Sequence, residues 1–293
     1  MDFEKFVERV RKTGILGVKV SQGGRDLWKH LWDDECRRNV YSASKSFTSA
    51  AVGIAVREGL LSLDERLVDA FPEDLPRQVG EHLETATVRD LLTMCLGQEQ
   101  PQLMGAQRPL YEQEDWVKMS LAFPFTCRPG TKFVYNNVGP YLAGVLVQRR
   151  AGCDLVSYLM PRFFRPLGIR RPTWETDPLG YTFGAGGLFL TLSELHKLGL
   201  LYLQKGMWGG KQVVPAEWVE ESLKAQVPTG LKEDYGYGYL FWGGPCGSFR
   251  ADGKYSQLSI ILRDKDAVIS TVAECRDGKA LMDAVFQELY PWL

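Results

Sequence analysis

The sequence predicts an α/β fold of the α+β type: an antiparallel sheet from both chain termini, flanked by helices, with an inserted all-helical lobe. Strand-like segments open the chain, helical patterns fill its middle, and segments of period two precede a final helix. With 293 residues, 45% of them hydrophobic, the chain can form one large core. We expect a single domain over residues 1–293, with an α/β lobe at about 1–60 and 185–293 and a helical lobe at about 61–184.

A helix and a hairpin begin the chain. Residues 1–10 have an amphipathic helical pattern. Residues 14–21 and 25–32 are strand-like and flank the turn Gln22-Gly23-Gly24, which is typical of a β-hairpin. The helix that begins near Ser42 is so apolar that it must be buried on most sides.

Helices dominate the middle of the chain and strands its end. Thr87, with Asp90 three residues later, has the pattern of a capping box at a helix start. The other predicted helices after residue 100 are 114–121, 139–149, 155–164, 192–204, 215–225 and 279–290. The strand-like segments near the end are 235–242, 248–251, 257–262 and 267–272.

Composition and charge argue against several classes of function. A net charge of −1 provides no basic face for nucleic acid. No run approaches the ~20 apolar residues of a membrane helix, and the N-terminal segment lacks the apolar region of a signal peptide, so we expect a cytoplasmic protein. The six cysteines form no C-x-x-C pair, and we expect neither a metal nor a cofactor. Nothing in the sequence indicates the oligomeric state.

Ser42-Ala43-Ser44-Lys45 is the most informative motif. Residues three apart share a helix face, so the hydroxyl of Ser42 and the amine of Lys45 can touch. A serine becomes nucleophilic when a base takes its proton, and burial at a helix N-terminus lowers the pKa of a lysine so that it can be that base. The alternative is an ordinary helix start with a solvated lysine. A Ser-His-Asp triad is poorly supported, because the three histidines have surface or core contexts and no G-x-S-x-G motif occurs.

Two further clusters of candidate site residues can be interpreted together with this motif. Tyr135 and Asn137 stand two apart in an extended loop and project to the same side, where a phenol could relay the Ser42 proton and an amide could hold a substrate carbonyl. An Asx turn is the alternative for that loop. Gly253 interrupts a strand, which marks close approach of another group or simply a hairpin turn at Asp252-Gly253.

Taken together and in this order, these motifs resemble the serine β-lactamase and penicillin-binding-protein superfamily, especially its class C-like esterases and amide hydrolases. Segments 183–191 and 235–239 are similar to further motifs of that family. The resemblance implies a site where the sheet meets the helical lobe, with Ser42 acylated and Lys45 and Tyr135 as general base and acid. It also implies that Asn137 orients the substrate, and that the N–H groups of Ser42 and Lys254, beside Gly253, form the oxyanion hole.

One departure from the family pattern bears on the substrate. Ala251-Asp252-Gly253 stands where β-lactamases and peptidases of the family have Lys-Thr-Gly, so the cation that grips a β-lactam carboxylate is missing at residue 251. Strand alternation directs the side chains of Arg250 and Lys254 away from that position. We therefore expect a small-molecule ester or linear amide substrate. A β-lactamase or D,D-peptidase and a non-catalytic binding protein are the alternatives.

Overall fold

The computed structural model describes residues 3–293, and an antiparallel sheet of six strands in the order β2-β1-β10-β9-β8-β7 is their largest β-structure. Strands of both chain ends meet where β1 pairs with β10, with Val20 opposite Ile269. The prediction of one antiparallel sheet from both termini is confirmed. The strands are β1 (Ile15–Gln22), β2 (Arg25–Leu31), β3 (Arg38–Asn39), β4 (Phe189–Leu190), β5 (Met207–Trp208), β6 (Lys211–Gln212), β7 (Trp242–Gly243), β8 (Phe249–Gly253), β9 (Gln257–Leu262) and β10 (Ala267–Ala273).

Helices cover both faces of the sheet. Strands β9 and β10 are buried along their whole length, and even their polar residues Gln257, Ser259, Ser270 and Thr271 are buried. The α-helices of residues 3–293 are α1 (Glu4–Val10), α2 (Ser44–Arg57), α3 (Leu67–Ala70), α4 (Glu81–Thr85), α5 (Val88–Thr93), α6 (Trp116–Ala122), α7 (Val138–Ala151), α8 (Leu155–Leu159), α9 (Leu192–Leu203), α10 (Ala216–Ser222) and α11 (Gly278–Ala284). None of these helices has the length and apolarity to cross a membrane.

The two faces have separate cores. On one face α9 packs on β9 and β10, and α2, α5 and α7 extend this core away from the sheet. On the other face α1 and α11 cover a smaller core that includes Phe6 and Leu281. Helix α2, which begins two residues after Ser42, is buried from Ser44 to Ala55, as its apolar sequence predicts.

The strand predicted at 235–242 is wrong over most of its length. Only Trp242 belongs to β7, and the preceding residues form a loop with isolated bridges from Tyr237 to Val227 and Trp242. Gly236 and Leu240 have positive φ values of 76° and 62°, which an extended strand does not allow. The alternation of tyrosine and glycine therefore reflects tight turns beside the site instead of a sheet.

Candidate active site

Ser42 lies in a tight turn that leads into α2. Residues Tyr41–Ala43 form one turn of 3-10 helix, and Tyr41 has a positive φ of 47°. This left-handed conformation is held on both sides: the Tyr41 N–H donates to Asn39 Oδ1 over 2.7 Å, and Ser44 Oγ donates to the Tyr41 carbonyl over 2.5 Å. Such a costly backbone persists only where its surroundings impose it, and here it exposes Ser42 to a cleft of about 1220 Å³.

Lys45 is buried and directed at Ser42. Its side chain is 1% exposed, and Nζ lies 3.1 Å from Ser42 Oγ. The same nitrogen donates to Asn137 Oδ1 and to the Ala185 carbonyl, both over 2.7 Å. A neutral amine has two N–H bonds and one lone pair. With both N–H bonds given to these two acceptors, the lone pair faces the Ser42 hydroxyl.

The surroundings of Lys45 favour the neutral amine. Burial, and secondly the positive charge of Arg108, lower the pKa of Lys45 to about 7. Lys45 also stands at the second residue of α2, where the helix dipole disfavours a cation. At neutral pH a large fraction of Lys45 can therefore accept a proton.

Tyr135 and Asn137 reach the same cleft from the loop before α7. Tyr135 lines the cleft together with Ser42, and burial is the main cause that raises the pKa of the Tyr135 hydroxyl well above its ordinary value. The phenol therefore stays protonated and can donate. Asn137 also donates through Nδ2 to the Leu103 carbonyl over 2.9 Å. The Asx turn that was the alternative for this loop is present, but Asn136 makes it, by accepting from the N–H of Val138 over 2.8 Å.

Gly253 brings strand β8 against the Ser42 turn. A Cβ at Gly253 would lie 2.1 Å from the Val40 carbonyl oxygen and 3.2 Å from the Ala43 nitrogen, so only glycine permits this approach. The hairpin turn lies beyond it, at 254–256. Within residues 3–293, the backbone N–H groups of Ser42 and Lys254 have no hydrogen-bond acceptor. Two free N–H donors beside a nucleophile are what an oxyanion hole requires.

Strand alternation along β8 places two charged side chains in the cleft. Ala251 is fully buried, whereas Arg250 and Asp252, on the opposite face, both line the cleft. Arg250 Nε donates to Asp252 Oδ2 over 2.7 Å. The cation that the family pattern has at residue 251 is therefore absent, but an ion pair stands beside its position. Lys254 is exposed, and its ammonium lies 4.7 Å from the ring centroid of Tyr255.

Sequence reasoning missed Arg108 and the role of Ala185. Arg108 lines the cleft from the long loop before α6, pairs with Glu175 over 3.2 Å and stacks on Phe183 at 4.4 Å. Nothing in the sequence of that loop distinguishes Arg108 from a surface arginine. Ala185 acts through its backbone carbonyl, in the glycine-rich segment 183–187, where a Cβ at Gly184 would lie 2.9 Å from the Pro140 carbonyl oxygen.

His196, for which the sequence predicts a surface or core position, is not among the residues that line the cleft. It is 1% exposed, with Nε2 2.8 Å from Ser21 Oγ and Nδ1 2.9 Å from Ser270 Oγ. Trp242 does line the cleft and packs on Tyr135 at 5.3 Å between ring centroids. Residues 3–293 contain no group of three or more His, Cys, Asp or Glu side chains suited to hold a metal ion.

Comparison with known proteins identifies the family. Residues 3–286 match the family model described as Beta-lactamase, so this chain belongs to the beta-lactamase family, and the predicted resemblance is confirmed. A putative 6-aminohexanoate-dimer hydrolase from Bacillus anthracis has a similar structure, with a TM-score of 0.82 and 20% identity over 97% of this chain and 80% of that one. A penicillin-binding protein from Bacillus halodurans has a TM-score of 0.76 and 17% identity over 97% of this chain and 99% of its own. At identities of 17% and 20%, the structural similarity to these two proteins shows that they share the fold of this chain.

A lovastatin esterase of Penicillium rubens is similar in sequence over a shorter stretch. It is 31% identical over 150 residues, which are 44% of this chain and 37% of the esterase. By its name this relative is an esterase, and the structurally similar protein from Bacillus anthracis has the name of a hydrolase.

Proposed function

We propose that this protein is a serine hydrolase that cleaves an ester or a linear amide through an acyl-enzyme on Ser42. The hydrogen bonding of Lys45 is the observation that carries the proposal. Its nitrogen has two fixed acceptors in Asn137 and Ala185 and lies 3.1 Å from the Ser42 hydroxyl. A structural lysine would gain nothing from a buried position that lowers its pKa to about 7.

In the first half of the reaction, Lys45 takes the Ser42 proton while Oγ forms a bond to the substrate carbonyl carbon. The negative charge on the carbonyl oxygen is stabilised by the N–H groups of Ser42 and Lys254. Tyr135 donates its proton to the departing alcohol or amine as the bond to the leaving group breaks, and regains a proton from the Lys45 ammonium. The raised pKa of Tyr135 suits a proton donor and relay more than a base.

In the second half, water enters the place of the leaving group and loses a proton through the same pair, Lys45 and Tyr135. The water oxygen bonds to the acyl carbon, the Ser42 ester breaks, and Oγ regains its proton. The cleft takes a small-molecule substrate, and Asn137 orients it only indirectly, because both ends of its amide contact protein atoms. We also propose that the chain is one catalytic domain, whose sheet part and helical part meet at this cleft.

Hydrolysis of p-nitrophenyl butyrate tests the proposal. We expect Ser42→Ala and Lys45→Met each to lose about a thousand-fold or more in kcat/KM while remaining folded. Ser62→Ala, at an exposed serine outside the cleft, is the matched control and should keep wild-type activity. A fluorophosphonate should add its mass to the wild type but not to Ser42→Ala. Equal turnover by the wild type and Ser42→Ala would contradict the assignment.

The same assay separates the alternatives. Turnover of nitrocefin without turnover of simple esters would favour a β-lactamase or D,D-peptidase. Absence of both turnover and covalent labelling of Ser42 would favour a binding protein that has kept the fold. The Asp252 carboxylate in the cleft favours the ester or amide hydrolase, because β-lactams and peptide C-termini carry a carboxylate that it would repel.

A further inference from the structure

The ion pair of β8 has an orientation that matters for substrate choice. Gly253 touches the Ser42 turn, so Asp252 is one residue from that contact and Arg250 is three residues from it. At about 3.3 Å per residue along a strand, the carboxylate belongs to the end of the pair nearer the nucleophile. The negative charge is therefore the one that a substrate on Ser42 meets first.

Arg250 is committed to protein acceptors on two sides. Its Nε donates to Asp252 Oδ2 over 2.7 Å, and its Nη1 donates to the Gly243 carbonyl over 2.8 Å. By contrast, Asp252 Oδ1 has no hydrogen-bond donor among residues 3–293, and the side chain is 29% exposed. One carboxylate oxygen is therefore free to bind a ligand in the cleft.

The free carboxylate lies on the side of the leaving group, if the proposed function is correct. Tyr135 gives its proton to the leaving group, and Tyr135 and Asp252 line the same cleft. The Tyr135 ring packs on Trp242, which pairs with Arg250 across β7 and β8, so the phenol lies beside the strand that carries Asp252. The space between the phenol and the carboxylate is where an alcohol or amine departs.

Two of the other cations that line the cleft are neutralised by ion pairs. Lys279 is paired with Asp283 over 3.0 Å, and Arg108 with Glu175 over 3.2 Å. Glu233, an exposed residue that also lines the cleft, adds a negative charge. Lys254 and Arg276 also line the cleft, but both are exposed to solvent, and the Lys254 ammonium lies over the ring of Tyr255.

We propose that Asp252 is a specificity-determining residue that selects the charge of the leaving group. Substrates are esters or amides whose leaving group carries an ammonium or another hydrogen-bond donor, and leaving groups with a carboxylate are rejected. This proposal rests on the proposed function and adds the class of substrate to it.

Three butyrate esters that differ in the charge of the alcohol test this proposal. Butyrylcholine is cationic, 3,3-dimethylbutyl butyrate is its neutral isostere, and 4-(butyryloxy)butanoate is anionic. For the wild type we expect kcat/KM to be about 5–10-fold higher for the cationic ester than for the neutral one, and lower again for the anionic one. The preference should weaken as salt is added.

Two variants of the ion pair should shift this preference in opposite directions. Asp252→Asn should reduce the ratio of cationic to neutral ester to about one and raise turnover of the anionic ester about 5–10-fold. Arg250→Gln should increase the preference for the cation, because it leaves Asp252 unpaired. A merely structural role would change all three esters by the same factor.

The possible failures are distinguishable. If the neutral ester is cleaved through Ser42 but the wild type does not prefer the cation, or if Asp252→Asn changes the three esters equally, the proposal about Asp252 is wrong and the proposed function stands. If hydrolysis of the neutral ester survives Ser42→Ala, or none of the esters and no fluorophosphonate reacts with Ser42, both proposals are wrong.

Discussion

Asn137 Oδ1 accepts a hydrogen bond from Lys45 Nζ over 2.7 Å, although the two residues are 92 positions apart. The contact joins the start of α2 to the loop before α7. It also fixes one of the N–H bonds of the amine, and so helps to aim the lone pair at Ser42. The proposed chemistry of the site therefore depends on a neutral amide at residue 137.

A charge at residue 137 should disable Lys45 at neutral pH. Asn137→Asp places a carboxylate beside the amine, which favours the ammonium and raises the pKa of Lys45 above about 7. We expect the acid limb of the pH profile of kcat/KM to move up by about one unit or more, with partial recovery of activity at pH 9–10. Asn137→Ala should lower activity at every pH without that displacement. Identical pH profiles for the two variants would contradict the prediction.

Arg108 should influence the reaction through its charge. Its positive charge is the second cause, after burial, that lowers the pKa of Lys45, so Arg108→Gln should move the acid limb of kcat/KM to higher pH. The loss of activity should be greater at pH 7 than on the alkaline plateau. Arg108→Lys keeps the charge and should keep the wild-type limb. If Arg108→Gln lowers kcat/KM by the same factor at all pH values, the residue acts by packing alone.

Gly253→Ala should disrupt the proposed oxyanion hole. The added methyl group would meet the Val40 carbonyl oxygen at 2.1 Å, so β8 must move away from the Ser42 turn. We expect a loss of about 100–1000-fold in kcat, as for removal of an oxyanion donor, and a loss of about 1–3 kcal/mol in the free energy of unfolding from overpacking. Gly80→Ala is the matched control, since a methyl group there meets nothing within 4 Å. Full turnover by Gly253→Ala would show that the approach of β8 is not needed.

His196 should make the protein sensitive to acid. Burial, and secondly the charge of Lys19, lower the pKa of His196 to about 3, below the ordinary value of 6.5. Below pH 6.5, His196 is therefore protonated in the unfolded chain, whereas in the folded protein it stays neutral until about pH 3. The contribution of His196 is fully present above pH 6.5 and is lost as the pH falls toward 3, with a slope of about 1.4 kcal/mol per pH unit for one proton.

Denaturation with urea at several pH values between 4 and 7 measures this slope. His196→Gln should reduce the dependence of the free energy of unfolding on pH by about one proton, and the partly exposed His82→Gln serves as its control. An unchanged slope in His196→Gln would mean that other groups cause the loss of stability in acid.

The sequence by itself determined the parts of the site that depend on local geometry. Ser42 and Lys45 are one helical turn apart, and Tyr135 and Asn137 are two residues apart in an extended segment, so helix and strand periodicity alone put each pair on one side of the chain. The period-two and apolar patterns likewise predicted the sheet from both termini, because burial imposes them on each strand wherever it pairs. The close approach at Gly253 was one of two interpretations of the sequence, and the proposed role of Lys254 came only from resemblance to a family.

The tertiary structure decided which groups from distant parts of the chain surround Ser42 and Lys45. Ala185 contributes a backbone oxygen, which no side-chain pattern reveals, and it meets Lys45 across 140 residues. Arg108 and the pair of Arg250 and Asp252 look like surface charges in the sequence, and only the folding of a long loop and of β8 around Ser42 brings them into the cleft. The pKa of Lys45 belongs to this second group, because it depends on burial and on charges that are distant in the chain, and these exist only when the protein is folded.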